Sequence, residues 1–122
     1  MGEAHERRRS SRHYVYLAAE LVVSGTTPRT AITKDISELG LLLLTRAKLD
    51  IGQNVDVRIY LPGDEMRSVV VSGKVVRLEQ LADEEKGIWR DKVAFCFESA
   101  QPKLAKEFEE LAVEQAKVYD WS

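Results

Sequence analysis

Two groups of residues in this chain have the types and spacing for binding chemistry. The first lies at the N-terminus, where Arg7, Arg8, Arg9 and Arg12 fall within six positions and Arg8 and Arg12 make an R-x-x-x-R pair. A guanidinium keeps its charge, donates two parallel hydrogen bonds to a phosphate and can lie flat on a purine. The second is Asp35-x-Ser37-x-x-Gly40. A carboxylate can accept two hydrogen bonds from the ring N–H and exocyclic amine of a guanine. A serine hydroxyl donates or accepts, and glycine lets the chain turn and a ligand approach the backbone. Each group also has a plainer reading. A short basic run serves as a solubilising tail, and Asp, Ser and Gly populate turns because they bond their own backbone or take positive φ.

Other chemistries find little support. The two histidines, His5 and His13, have no cysteine or second histidine at zinc spacing. No P-loop, dinucleotide fingerprint or nucleophile elbow is present, so neither catalytic residues nor metal ligands are expected. Cys96 is the one cysteine. It excludes an intrachain disulfide, fits a reducing compartment and, set in an alternating hydrophobic strand, reads as a buried structural thiol. The formal net charge is -2, with 44% hydrophobic and 31% charged residues, which argues against general nucleic-acid or membrane binding by charge. No run approaches the roughly 20 apolar residues of a membrane span. The polar N-terminus lacks the apolar core of a secretory signal. A cytoplasmic protein without membrane insertion is expected.

The elements that must position these groups are mostly strands. Residues 1–12 show no hydrophobic period and read as a flexible basic arm. From Tyr14 to Val23 the pattern is strand-like, with both faces expected to be partly covered. Arg29 to Ile36 and Leu41 to Thr45 follow as strands, with the D-x-S-x-x-G segment as the turn between them. Val55 to Leu61 alternates as a half-buried strand. Met66 to Leu78 is long, and its interior Gly73 predicts a bend, a bulge or a close backbone approach. Leu81 to Arg90 reads as a charged loop and Val93 to Phe97 as the last strand. Leu104, Phe108, Leu111, Gln115 and Val118 then recur at helical spacing from about residue 102, with Ser99 or Gln101 as cap and Pro102 in the first turn. The expected division is an arm over 1–12 and, over 13–122, a six-stranded barrel closed by a C-terminal helix.

The order and spacing of R-x-x-x-R and, about two dozen residues later, D-x-S-x-x-G resemble the PilZ domain family. Val71-Ser-Gly73-Lys-Val75-Val76-Arg77 is similar to that family's glycine-containing central strand. Lys92-Val-Ala-Phe95-Cys-Phe97 is similar to its closing strand, with Ala94 where glycine is frequent. The resemblance implies a mainly β fold, a six-stranded antiparallel PilZ-type barrel with a C-terminal helix. It also implies a non-catalytic bacterial receptor for cyclic di-GMP with no other cofactor. On that reading Arg8 and Arg12 clamp phosphate and stack on guanine, Asp35 and Ser37 read the guanine edge, and Gly40 shapes the turn beneath. Arg7, the residue before the motif, implies an intercalated ligand dimer, with Arg9 as a further contact.

With no output domain in the sequence, a signal would leave through an effector protein. Candidate surfaces are the arm, the Leu81–Arg90 loop with Trp89, and the C-terminal end at Tyr119 and Trp121, although Trp121 also reads as helix packing. A monomer or weak homodimer is expected, the helix face packing on its own barrel. Two rivals remain: a nucleotide-independent PilZ-like adaptor, and a small barrel for single-stranded nucleic acid. The second would need a positive groove lined with stacking aromatics. Two Trp, four Tyr and three Phe, few beside basic strand residues, do not supply one, so no nucleic-acid partner is expected.

Overall fold

The computed structural model describes residues 13–23, 26–63, 67–82 and 88–120, with backbone alone for His13 and residues 117–120. The arm expected over 1–12 and Trp121 lie outside these residues, as do the side chains of Val118 and Tyr119.

Seven strands and one helix are described: β1 (His13–Tyr14), β2 (Ala18–Val22), β3 (Arg29–Ile36), β4 (Gly40–Thr45), β5 (Asn54–Leu61), β6 (Arg67–Gln80), β7 (Asp91–Phe97) and α1 (Pro102–Asp120). All pairings are antiparallel. The sheet runs β3-β2-β5-β6-β7-β4, and β4 returns to β3. Six strands therefore form a closed barrel with no free edge, and β1 adds a short pairing along β3. The expected six-stranded antiparallel barrel with a C-terminal helix is the observed fold.

Period-two patterning builds the core. Val15, Leu17, Ala19 and Leu21 point inward, as do Leu41 and Leu43, Val55, Val57, Ile59 and Leu61, and Val93, Phe95 and Phe97. The outer face of the first strand is partly covered, as expected, with Tyr14, Tyr16 and Ala18 exposed and Glu20 and Val22 half-buried. The strand is also broken, because between the pairs Tyr14–Asp35 and Ala18–Ile32 it carries one residue more than β3 does. The fully buried Thr33 stitches the break: its hydroxyl donates to Val15 O at 2.7 Å and accepts from Leu17 N at 2.8 Å. β3 has its own irregularity opposite β4, where the register shifts between Thr33 and Asp35. Such bulges kink a strand and raise its twist, as a small closed barrel requires.

The helix closes the core beside β1. Gln101 O accepts the first helical hydrogen bond, from Ala105 N at 2.9 Å, which makes Gln101 the capping position and puts Pro102 in the first turn as expected. Leu104 and Phe108 are buried in the core, with Leu111 and Ala112 packed against it. Further along, Gln115 reads the backbone of the broken strand. Its side-chain amide donates to Tyr16 O and its oxygen accepts from Tyr16 N, both at 2.9 Å. On the outer wall, Tyr60 donates to Glu20, which pushes its phenol pKa up from the usual value.

These two stitches differ in environment, and so in cost. Thr33→Val keeps shape but strands a buried donor and a buried acceptor, and is expected to cost about 2 kcal/mol. Gln115→Ala removes two exposed bonds that water can replace, and is expected to cost under about 1 kcal/mol while raising hydrogen exchange at the Tyr16 amide. Denaturant melts and amide exchange check the order; equal costs would mean Thr33 is not the main stitch.

Candidate functional site

The D-x-S-x-x-G segment makes the tip of the β3–β4 hairpin. Asp35 ends inside β3, Gly40 opens β4, and Ser37 N donates to Gly40 O at 2.8 Å across the turn. Asp35 and Ser37 are buried, at 4% and 3% exposure. The Ser37 hydroxyl works within the turn, donating to Gly40 O and accepting from Leu39 N, both at 3.3 Å. The turn's carbonyls are taken as well: Leu39 O by Phe97 N and Glu38 O by Gln101 N, each at 2.8 Å. Strand β7 and the start of α1 thus hold the tip in place.

Gly40 is needed for a reason other than the expected turn geometry. Positive φ among the described residues belongs to Gly52 and Gly63, not to Gly40. A Cβ at Gly40 would lie 2.0 Å from Phe95 O on β7, inside any allowed contact. Glycine is required there because two backbones press together, not because the chain turns. Gly73 meets its expectation of close approach, since a Cβ there would lie 2.9 Å from Cys96 O.

Beside the tip, on the outer wall of β4, β7 and β6, lies a depression of about 320 Å³ lined by Ser37, Leu39, Gly40, Val76, Arg77, Ala94, Phe95 and Cys96. A register shift between Val75 and Arg77 falls in its β6 wall. The extra residue leaves Val76 and Arg77 both exposed, so a guanidinium stands on the wall opposite the turn. Arg77 was legible as part of a strand but not as a site residue, because only the bulge turns it outward here. Cys96, read from the sequence as buried, is exposed. The strand's inward positions belong to Phe95 and Phe97, and strict alternation sends the residue between them outside. Trp89, expected at the surface, is half-buried, while Ile88 beside it is 67% exposed.

Arg7, Arg8, Arg9 and Arg12 lie outside the described residues. Their attachment point does not. β1 pairs His13 with Ile36 and Tyr14 with Asp35, so the chain emerging after Arg12 runs directly alongside the carboxylate and one strand position from the turn. Among the described residues, no group of three or more His, Cys, Asp or Glu side chains could hold a metal, and no helix is long and apolar enough to cross a membrane.

The profile of the PilZ domain matches residues 6–114. The chain belongs to the PilZ domain family. Solved structures agree on the fold. The PilZ domain of YcgR from Escherichia coli, solved with c-di-GMP, superposes with a TM-score of 0.70 at 15% identity, covering 93% of this chain and 98% of that one. The Bacillus subtilis inhibitor of motility (MotI/DgrA) superposes with a TM-score of 0.67 at 14% identity, covering 90% of this chain. This PilZ chain spans about half of that protein, 51% of its length. No curated protein matches the sequence.

Two outcomes follow from the geometry. Gly40→Ala forces β4 from β7 and is expected to cost about 3 kcal/mol, lowering Tm by on the order of 10 °C; an unchanged melt would show that the strands part freely. Cys96 is expected to react with an aromatic disulfide reagent in the native protein as fully as in denaturant. Native protection would contradict its exposure.

Proposed function

We propose that this PilZ protein is a non-catalytic cytoplasmic receptor for cyclic di-GMP, bound between the arm's arginines and the D-x-S-x-x-G turn. The register that supports the reading is His13 opposite Ile36 and Tyr14 opposite Asp35, because it sets the two residues that follow R-x-x-x-R beside the turn. Arg8 and Arg12 clamp phosphate and stack on guanine, Asp35 and Ser37 read the guanine edge, and Gly40 keeps the wall low. Arg77 faces the same depression and supplies one more cation. Arg7 and Arg9 add the charge that four phosphates of an intercalated dimer need. Residues 1–12 form the binding arm and 13–122 the barrel with its helix. Ligand orders the arm across the barrel, and the new surface engages an effector protein. The protein acts as a monomer or weak homodimer, without nucleic acid. The c-di-GMP bound in the YcgR PilZ structure supports the ligand.

One observation favours a second reading, a nucleotide-independent adaptor. The Ser37 hydroxyl is already bonded within its own turn, as in a purely structural motif. Calorimetric titration with cyclic di-GMP separates the two. The receptor is expected to bind two ligands per chain, with affinity at least about tenfold weaker in Arg8→Ala and in Asp35→Asn, one charged hydrogen bond each. Bound ligand is expected to slow Cys96 labelling. No heat from the folded wild-type protein would leave the adaptor; one ligand per chain would remove the dimer alone.

A further inference from the structure

The barrel end away from the D-x-S-x-x-G tip carries a second opening, of about 620 Å³, within the range of small-molecule sites. Its rim is built from adjacent strand ends. Arg29 begins β3, Arg46 follows the last residue of β4, and Arg90 precedes the first residue of β7, three strands that are neighbours in the barrel. Lys48 adds a fourth cation from the segment that crosses this end, and among the described residues the lining holds no carboxylate. Among the described residues no ion pair engages any of the four; Arg46 has a contact of 3.5 Å to Ile88 O. The floor is apolar, from Leu21, Val23, Ala47 and Leu49.

The scaffold under these cations is fixed. Arg90 N donates to Thr45 O at 3.2 Å, and Leu81 N donates to Arg90 O at 3.0 Å. The Thr45 hydroxyl donates to Thr30 O at 2.9 Å and accepts from Ala47 N at 3.1 Å. Four like charges converging on a concave surface focus a positive potential and concentrate anions. Three guanidiniums present paired donors matched to phosphate oxygens.

We propose that this opening is a second ligand site, taking a small molecule that carries a diphosphate group, with the apolar floor accepting an attached organic moiety. It is independent of the cyclic di-GMP site, lying at the other end of the barrel. The test uses inorganic pyrophosphate, ADP and inorganic phosphate as probes, followed by amide chemical shifts and by calorimetry. Pyrophosphate and ADP are expected to shift Ala47, Leu49 and Gln53 and to bind at least about tenfold more tightly than phosphate, one extra charged hydrogen-bonded contact. Tighter binding of ADP than of pyrophosphate is expected, because the apolar floor accepts the attached moiety; ADP binding no tighter than pyrophosphate overturns that organic-bearing ligand. The Arg46→Gln/Arg90→Gln variant, altered at exposed side chains, is expected to lose that binding, while Arg8→Ala keeps it. The proposal is overturned if no probe shifts these amides, if phosphate binds as well as pyrophosphate, or if the double variant binds unchanged. Loss of cyclic di-GMP binding alone would leave it standing.

Discussion

The contact between Gly40 and the Phe95 carbonyl sets the geometry on which the candidate site depends. A Cβ at residue 40 would meet that oxygen at 2.0 Å, so β4 and β7 approach as only a side-chain-free residue permits. β4 is the strand that pairs with both β7 and β3 and closes the ring. Because Gly40 also ends the D-x-S-x-x-G turn, the closure of the barrel and the position of the turn share one backbone contact.

Closure distributes irregularity around the barrel, and the functional features sit where it falls. The break between β1 and β2 places Tyr14 beside Asp35. The shift on β6 turns Val76 and Arg77 out together in the wall next to the tip. Bulges re-aim side chains at a modest cost in ladder hydrogen bonds. Buried side chains cover that cost on the first strand, where Thr33 bonds the two backbone groups left beside the gap. The helix contributes at the same place through Gln115, which ties α1 to the segment just after the arm.

The two barrel ends have different electrostatic characters. At the tip, buried Ser37 lines the same depression as Arg77, with Asp35 buried in the adjoining strand. At the other end, cations gather over an apolar floor that has no lining carboxylate among the described residues. A chain with net charge of -2 thus holds a local field opposite in sign to its total. Short-range placement of charge, not the sum, governs what such a protein attracts.

Most of the fold was legible in the sequence. Strand positions followed from alternation, since period two is a local property of each segment. The helix followed from apolar residues three and four apart, with Pro102 in its first turn, while the structure chose Gln101 over Ser99 as the capping position. The two motif halves could be picked out because their residue types and spacing are local too. Tertiary structure decided what depends on neighbours distant in the chain. Why Gly40 is glycine rests on a carbonyl more than fifty residues away in the chain. Arg77 joins the depression through a bulge, and Arg29, Arg46 and Arg90 become neighbours only when β3, β4 and β7 lie side by side. Sequence periodicity specifies which face a residue takes along its own strand; pairing register, set only as the barrel closes, specifies which residue it meets.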